Sequence, residues 1–549
     1  MNRNLLAIAC LLLFTCNAYA QNPTVQYSNT FEEPHYGWTK LLQLKSGQTF
    51  FFHLDDEGIE ARIYANAKPI GRKVIKGKTW TEKKVPQIKI VGLYEINGQP
   101  VIFIQQFLEW TPKLFRIVLD ANTGAVVSEE QIGQQKKLNI GSGYAMGYGG
   151  VDEPGFYIEK DPASDNYAVI NYNSFAKESK ERVEVMHYTV QNGTHTLVNK
   201  SFYDADQFKY LRYIGAVVIN NTVYACVYGY NTAASGGKDS RIILSKLVAG
   251  NDKFTHKMLE FTEDFKETEA IMQYNPGSKM IQLLTLTLVK SKRPVIGYKS
   301  KNYYMALMSL VDPESLTIIS SKDLSTAKVD EYAKQKLGEE NGFSGMPQRI
   351  AINSDNTTTL LFEGLQQNTT SRGANYTIFG NVGISDLDNR CNEINAYAIR
   401  KEQTAEQSIQ AFFGDRKAKG IWQFGLPLMA PWRNKGLENG GYFSFDYLTT
   451  PSARYVILND YPENFDKEQS SKKWKDVNYV SETNTIFYKI ENGNVSKEYL
   501  FGKPNEDNKY KFSYIASSDY QPATNTYATL IVQRDGKEKL ARIAWVSFN

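Results

Sequence analysis

Residues 97–128, NGQPVIFIQQFLEWTPKLFRIVLDANTGAVVS, contain the pattern that decides the fold. The dipeptide Asn97-Gly98 is a turn signal, and an apolar and aromatic strand follows it at residues 101–107. A second strand is indicated at residues 114–119 and a third at residues 125–128. Asn and Gly supply the positive-φ positions that tight hairpins require, and Val, Ile and Phe favour strands. The stretch therefore predicts a small antiparallel sheet.

The same unit recurs along the whole chain, and no linker or low-complexity tract divides it. Helical periodicity is confined to two short stretches, residues 326–338 and 404–413. A repeated unit of this kind is typical of propeller blades. We predict an all-β fold with a single closed β-propeller of eight blades, seven being the alternative count. Two packed β-sandwiches would show similar strand spacing and stay open as an alternative. The eight turn dipeptides are Ser46-Gly47, Asn97-Gly98, Asp165-Asn166, Asn220-Asn221, Gly277-Ser278, Asp355-Asn356, Ser452-Ala453 and Thr524-Asn525.

The two ends of the repeat region predict how the ring closes. The last unit has strands at residues 511–517, 527–532 and 540–548, which is one strand short of a four-stranded blade. Residues 24–28 form an extended stretch before the first unit. Because an open sheet edge invites aggregation, a propeller needs its first and last blades joined. We predict that residues 24–28 supply the missing strand of the last blade.

The first twenty residues have the pattern of a secretory signal peptide. Arg3 gives a short positive region, residues 5–14 are apolar, and Ala18-Tyr19-Ala20 is a small-x-small cleavage signal. The apolar run is about half the length of roughly 20 residues that a membrane span needs. Lipidation at Cys16 is the alternative, although Thr15 stands where a small residue is usual. We predict cleavage after Ala20 and export to the periplasm or the extracellular space, with residues 21–549 forming the propeller.

Two segments resemble known propeller families. The sequence from Phe115 to Val127 is similar to a blade of the quinoprotein (PQQ-like) propellers, since Asp120, Thr123 and Gly124 match their Asp-x-x-Thr-Gly turn. Residues 349–362 resemble the Ser-x-Asp-Gly turn of Tol-type propellers, with Asn where Gly is usual. These resemblances support the propeller architecture and imply nothing about a quinone cofactor. The signal peptide also resembles those of the Bacteroidota, whose envelopes contain large secretion and surface assemblies.

The composition gives no positive sign of a cofactor, a metal or a nucleic acid. Lys and Arg number 63 against 59 Asp and Glu, and no basic block is present that would indicate nucleic-acid binding. The five histidines lack metal-binding spacing, and Cys-x-x-Cys and Gly-x-Ser-x-Gly are absent from the sequence. No catalytic, cofactor-binding or metal-ligating residue is therefore assigned. Cys226 and Cys391 remain in the mature chain, and buried free thiols are favoured over a disulfide.

The largest departure from the repeat is an aromatic-rich insertion at about residues 410–442. Trp and Arg are enriched at the energetic centres of protein interfaces. We therefore predict that Trp422, Trp432 and Arg433 contact a partner protein. The alternative is that these aromatic residues cap the core of the propeller itself.

Two hypotheses for function follow. The first is a non-catalytic, exported binding or scaffold protein of the bacterial cell envelope, which binds a protein partner through a propeller face and is a subunit of a secretion or surface assembly. The second is a propeller hydrolase that acts on a glycan or a lactone. The lack of catalytic motifs favours the first, and no transmembrane segment is expected after the signal peptide.

Overall fold

The strands of this chain form eight antiparallel sheets, which are arranged as the blades of one ring. The computed structural model describes residues 23–34, 37–55, 58–81, 88–139, 141–142, 154–173, 175–176, 181–203, 207–231, 240–260, 269–289, 303–369, 375–406, 422–423, 439–505, 509–535 and 538–548. The fold is an all-β, eight-bladed propeller, as the sequence predicts, and the alternative of two sandwiches is wrong.

The first two strands precede the blades and are β1 (Thr24–Tyr27) and β2 (Phe31–Glu32). Blade 1 consists of β3 (Trp38–Gln43), β4 (Gln48–Asp55), β5 (Gly58–Ala65) and β6 (Lys68–Ile75). Blade 2 consists of β7 (Ile88–Ile96), β8 (Gln99–Leu108), β9 (Thr111–Leu119) and β10 (Val126–Gln134). Blade 3 consists of β11 (Gly155–Lys160), β12 (Tyr167–Tyr172), β13 (Val183–Gln191) and β14 (Thr194–Phe202). Blade 4 consists of β15 (Tyr210–Ile219), β16 (Thr222–Tyr230), β17 (Ser240–Val248) and β18 (Thr255–Leu259).

The second half of the ring follows the same order. Blade 5 consists of β19 (Glu269–Asn275), β20 (Met280–Val289), β21 (Tyr303–Asp312) and β22 (Thr317–Asp323). Blade 6 consists of β23 (Met346–Ile352), β24 (Thr358–Thr369), β25 (Asn375–Leu387), β26 (Glu393–Ile399) and the short β27 (Gln403–Ala405); β28 (Trp422–Gln423) follows it in the chain. Blade 7 consists of β29 (Asp446–Thr449), β30 (Arg454–Asp460), β31 (Asn484–Glu491) and β32 (Asn494–Tyr499). In blade 8 the innermost position is shared by β33 (Lys511–Ser513) and β34 (Asp519–Gln521), which both pair with β35 (Thr526–Asp535); β36 (Glu538–Ser547) follows, and β1 and β2 pair with its outer edge.

Helical segments are short and lie between strands. The helix predicted at residues 326–338 is confirmed as α1 (Ala327–Tyr332), which continues into a π-helical turn (Ala333–Leu337). The helix predicted at residues 404–413 is wrong at its start, because β27 pairs with β25 there; residues 407–413 lie outside the described residues. The remaining segments are α2 (Pro462–Phe465) and 3-10 turns at Asn439–Tyr442, Val480–Glu482, Ile515–Ser517 and Pro522–Thr524.

Each of the eight turn dipeptides connects the first strand of a blade to the second, so the predicted units are confirmed. Asn97 and Gly98 have φ values of 52° and 72°, the left-handed conformation that a tight hairpin needs. The Asp-x-x-Thr-Gly turn also forms as expected between β9 and β10. There the Asp120 carboxylate accepts hydrogen bonds from the backbone N–H groups of Asn122 and Thr123.

The core is divided among the blade interfaces. Eight apolar clusters each join two neighbouring blades, and together they run once around the ring. The last of them joins blade 8 to blade 1, with Phe512 and Leu530 packed against Leu41 and Phe51. First strands of neighbouring blades also contact each other, as β3 contacts β7 and β15 contacts β19. The first strands therefore face the ring's centre.

The predicted closure by the amino-terminal strand is confirmed. β1 pairs antiparallel with β36, placing Thr24 opposite Ser547 and Tyr27 opposite Ala544. The Ser28 backbone N–H then donates to the Ile543 carbonyl over 2.9 Å. Val25 and Tyr27 pack against the cluster between blades 7 and 8.

β28, the next described strand after β27, lies at blade 2 and not at blade 6. β28 pairs antiparallel with β7, which places Trp422 opposite Ile90 of blade 2. The predicted contact residues Trp432 and Arg433, like most of the insertion at 410–442, lie outside the described residues. Among the residues that are described, no helix combines the length and the apolar character needed to cross a bilayer. Cys226 and Cys391 are both buried and free, which confirms the expectation of unpaired thiols.

Candidate functional site

A cavity of about 790 Å³ opens at the end of the ring where first strands turn into second strands. We call it the turn-side cavity. Its walls come from blades 1, 2, 6, 7 and 8, because the C-terminal halves of β3, β7 and β23 meet β29 and β34 there. The charged and aromatic side chains that line it are Lys40, Tyr94, Glu95, Arg349, Asp446, Tyr447, Asp519, Tyr520 and Tyr527.

Lys40 is the cation at the blade 1 wall of the cavity. It lies in β3 among apolar residues, and only 8% of its surface is exposed. Its ammonium donates a 2.9 Å hydrogen bond to the Ser518 carbonyl of blade 8. Burial lowers the pKa of Lys40, while the charges of Asp519 and Asp446 oppose that shift. The side chain therefore joins the first and last blades and places positive charge beside two carboxyl groups.

Asp519 faces Lys40 from blade 8. Its Oδ2 accepts a 2.7 Å hydrogen bond from the Gln43 backbone N–H of β3. The Gln43 side-chain amide in turn donates to the carbonyls of Asp519 and Thr526, over 2.9 and 3.0 Å. Burial raises the pKa of Asp519, and the Gln43 hydrogen bond and the Lys40 charge act against that rise. The carboxyl group is thus held in one position by the neighbouring blade.

Asp446 supplies a second carboxylate from blade 7. The Tyr527 hydroxyl of blade 8 donates to its Oδ2 over 2.6 Å and lies 2.8 Å from the Ser518 Oγ. Tyr527 is 1% exposed, and burial raises its pKa well above the usual value. Because blades 7 and 8 each contribute one partner, the Asp446 carboxylate is positioned by the interface between them.

The rim adds one more carboxyl group and several tyrosines. Both Glu95 oxygens accept from the Lys45 backbone N–H over 3.1 Å, and burial raises the pKa of Glu95. Tyr520 donates to the Thr449 carbonyl over 2.8 Å, and Tyr447 donates to the Asn353 Oδ1 over 3.3 Å. Hydrogen bonds within the protein hold these side chains in place, so the shape of the cavity is preformed.

A second charged pair is buried in blade 6, next to Ser444, which precedes β29 of blade 7. The Lys401 ammonium is 2.6 Å from the Glu363 carboxylate, and each side chain is 1% exposed. Ser444 donates to the other Glu363 oxygen over 2.8 Å. A small cavity of about 20 Å³ adjoins Glu363 and shares Arg349 and Asp446 with the turn-side cavity. Charged and polar side chains therefore extend from the blade 8 wall of the turn-side cavity to Glu363 in blade 6.

The structure places the backbone of the predicted contact residue Trp422 beside β7 of blade 2, the strand that also contributes to the cavity wall. Trp422 pairs with Ile90 in the first half of β7, whereas the cavity is lined by Leu93, Tyr94 and Glu95 in its second half. Sequence reasoning missed Lys40, Asp446 and Asp519. The only available signal was a lysine inside an otherwise apolar strand pattern at residues 38–42.

The chemistry available in the cavity is that of hydrogen bonding, ion pairing and carboxyl groups. Among the described residues, no three His, Cys, Asp or Glu side chains are grouped so that they could hold a metal ion. Three carboxyl groups line the turn-side cavity, those of Glu95, Asp446 and Asp519. Burial raises the pKa values of Glu95 and Asp519. The arrangement suits recognition of a polar ligand and also contains the residue types that acid–base chemistry uses.

Comparison with known proteins assigns no function to this chain. No family model matches the chain, and no curated protein matches it. Among similar solved structures, the polysaccharide lyase Uly1 is 9% identical, with a TM-score of 0.34, over 84% of this chain and 90% of that one. The prolyl oligopeptidase B of Galerina marginata is 9% identical, with a TM-score of 0.40, over 96% of this chain and 56% of that one.

The WD40 domain of SCAP from fission yeast is a third similar structure. It is 8% identical, with a TM-score of 0.37, and the match covers 96% of this chain and 98% of that domain. The chain spans little more than half the length of the prolyl oligopeptidase that it matches. Identities and TM-scores this low carry no argument about activity or partners, so the function is argued from the site.

Proposed function

We propose that this protein is an exported, non-catalytic binding protein of the bacterial cell envelope, and that a segment of a partner protein enters the turn-side cavity. The observation that carries the proposal is the preformed cavity of about 790 Å³, with walls from five blades. This volume lies within the roughly 300–1,000 Å³ that is common for ligand sites. The residues 1–20, which have the pattern of a signal peptide, support the envelope location.

The lining side chains favour protein recognition. Tyr and Arg are over-represented at the centres of protein interfaces, and Tyr94, Tyr447, Tyr520 and Arg349 line this cavity. Lys40, Asp446 and Asp519 form hydrogen bonds within the protein, so they form a fixed pattern of charge for a partner segment to match. Trp422, Trp432 and Arg433 remain our proposed contacts for a second region of the same partner. The protein would then act as a subunit of a secretion or surface assembly.

A photo-crosslinking experiment tests the proposal. The photoreactive residue p-benzoylphenylalanine replaces Ala523, an exposed residue at the rim of the cavity. A matched control carries the same residue at Ile319, which is 61% exposed on the outer strand of blade 5. We expect irradiation of native envelopes to give a discrete crosslinked species from position 523 that is absent from position 319. Equal crosslinking from both positions, or none from position 523, would reject the cavity as the binding site.

The second candidate function is a hydrolase that acts on a glycan or a lactone. The observation that favours it is the set of Glu95, Asp446 and Asp519 around one cavity, two of which have raised pKa values. A carboxylic acid kept protonated near neutral pH is the usual general acid in such reactions. The test incubates the purified protein with envelope glycans and with simple lactones. Turnover that disappears in both Asp446→Asn and Asp519→Asn would establish this function in place of the first.

A further inference from the structure

The connection between the second and third strands of blade 7 packs across onto blade 6. We call this connection, residues 461–483, the strap. The Val477 carbonyl accepts a 2.9 Å hydrogen bond from the Thr404 N–H, and the Val477 N–H donates to the Glu402 carbonyl over the same distance. The Arg400 guanidinium also donates to the carbonyls of Gln469 and Ser471, over 2.9 and 3.0 Å. The strap thereby holds the end of blade 6, including β27.

Asn464 fixes the strap from inside. It is fully buried, and its side-chain amide donates to Asp460 Oδ1 and to the Lys475 carbonyl, each over 2.8 Å. Its Oδ1 accepts a 2.9 Å hydrogen bond from the Lys475 N–H. The Asn464 side chain therefore joins the start of the strap to Lys475 near its middle, and it also binds Asp460.

Asp460 is a buried carboxyl group with an incomplete set of partners. It is 4% exposed at the end of β30, and its Oδ1 accepts from Asn464 and from the Tyr461 N–H over 2.8 Å. Its Oδ2 is buried and has no hydrogen-bond partner among the residues that the structure describes. A neutral carboxyl tolerates this environment, whereas an ionised one loses several kcal/mol of hydration there.

The neighbouring lysines compensate the negative charge of an ionised Asp460 only in part. Lys467 of the strap and Lys497 of β32 act on it electrostatically, and Lys401 of blade 6 does so while paired with Glu363. Tyr488 of β31 has a buried hydroxyl that finds no partner within the described part of the chain; burial raises its pKa, and the charge of Asp460 adds to that rise. Burial raises the pKa of Asp460 to about 7, against the lowering effect of its hydrogen bonds and the two lysines.

We propose that Asp460 is a pH-operated latch, which holds the strap on blade 6 while protonated and loosens it when ionised. Loosening admits water to the carboxylate and relieves the cost of an unsolvated buried charge. β27, which the strap holds, is the last described strand before the stretch of sequence that contains Trp422. Asp460 lies at the end of β30 that is farther from the turn-side cavity, so the latch does not depend on what binds there.

The expected size follows from proton linkage. In the loosened strap the Asp460 pKa returns toward its ordinary value of 3.8, whereas it is about 7 in the closed strap. Between pH 3.8 and pH 7 the closed form therefore binds more protons than the loosened form. The closed form loses stability relative to the loosened form as pH rises toward 7, and this loss levels off above pH 7. Between pH 6 and pH 8 the equilibrium constant for loosening rises about tenfold.

Hydrogen–deuterium exchange tests the latch in the intact mature protein. Peptides covering residues 400–406 and 461–483 are followed at pH 6 and pH 8, after correction for the intrinsic exchange rate at each pH. We expect protection of the Thr404 and Val477 amides to fall about tenfold at pH 8, while the amides of blade 1 keep theirs.

Two variants and one direct titration separate the latch from a general effect of pH. Asp460→Asn mimics the protonated side chain and is expected to abolish the pH dependence, whereas Asp466→Asn at an exposed strap position keeps it. An unchanged pH response in Asp460→Asn, or a flat response in the natural protein, would overturn the proposal. Carboxyl ¹³C NMR of the natural protein gives an independent readout, and an Asp460 titration near pH 4 would also overturn it.

Discussion

The seam between blades 8 and 1 differs from the interface between blades 4 and 5 in how its register is set. Both interfaces bury an apolar cluster, built around Leu530 and Phe51 at the seam and around Leu283 and Leu244 between blades 4 and 5. At the seam, Lys40, Gln43 and Asp519 add buried or partly buried polar hydrogen bonds between the blades. The Trp545 indole N–H also donates to Thr49 Oγ1 over 2.9 Å there.

The reason lies in chain connectivity. Blades 4 and 5 follow each other in sequence, so a short connection already limits how they can shift. Besides the apolar cluster, Lys246 of blade 4 pairs with Glu314 of blade 5, whose side chain is 79% exposed. Lys40 and Ser518 are 478 residues apart, and no short connection fixes their blades relative to each other. Apolar packing has little directionality, whereas a buried hydrogen bond fails when its partner moves by a few ångströms. Directional polar bonds therefore define the seam, and the same groups line the turn-side cavity.

The largest effect is expected from removing the strand that closes the ring. Deleting residues 24–28 from the mature protein should lower the free energy of unfolding by about 5 kcal/mol, since each backbone hydrogen bond contributes about 1 kcal/mol and the half-buried Val25 and Tyr27 are lost. It also bares the β36 edge, so aggregation should increase. Denaturant unfolding and light scattering measure the two effects.

The control for this deletion is a chain that lacks only residues 21–23, which keeps β1. A synthetic peptide of residues 24–33 should restore stability to the deleted chain in a concentration-dependent way, because it can pair with β36 as β1 does. Closure by β1 would be unimportant if the deleted chain unfolded at the same denaturant concentration as the intact one.

The closure could be predicted from sequence because it rests on local signals. Turn dipeptides such as Ser46-Gly47 and Asn97-Gly98 mark where each first strand ends, so strands could be counted and one was missing at the carboxyl end. The extended residues 24–28 were the remaining candidate. Eight equivalent turns favoured a ring of blades over two β-sandwiches. The spacing of the strands alone could not exclude the sandwiches.

The next largest effect tests the polar side of the seam. Lys40→Met should destabilise the protein by about 4 kcal/mol near pH 8, because the buried Asp519 carboxylate loses its neighbouring cation. Without that charge the folded-state pKa of Asp519 rises further, so the folded chain binds more protons than the unfolded one. Stability then falls as pH rises, and the loss should be smaller at pH 5 than at pH 8.

Denaturant unfolding at both pH values measures this difference. The double variant Lys40→Met with Asp519→Asn removes the charge that Lys40 compensates, and it should recover part of the loss at pH 8. If Lys40→Met cost the same at pH 5 and pH 8, the seam would be held by packing alone and its contrast with blades 4 and 5 would disappear.

The candidate site could not be predicted from sequence in the same way. Lys40, Asp446 and Asp519 come together only because the ring closes, and no spacing along the chain reports that proximity. Composition offers 59 acidic residues with no means of choosing among them. The aromatic stretch that contains Trp422 was conspicuous for its residue types, but Trp422 pairs with Ile90 and is not among the residues that line the cavity.

The smallest of the three effects comes from the apolar interface. Leu283 is 1% exposed between blades 4 and 5, and Leu283→Ala should cost about 3 kcal/mol through lost burial and the space left behind. Burial raises the pKa values of Cys226 and Tyr224 in the same cluster, so both groups stay neutral and the loss should be equal at pH 5 and pH 8. Leu530→Ala is the matched change in the apolar part of the seam and should behave alike. A pH-dependent loss in Leu283→Ala would show that the interface between blades 4 and 5 also relies on charged groups, and directional polar bonding would then cease to distinguish the place where the ring closes.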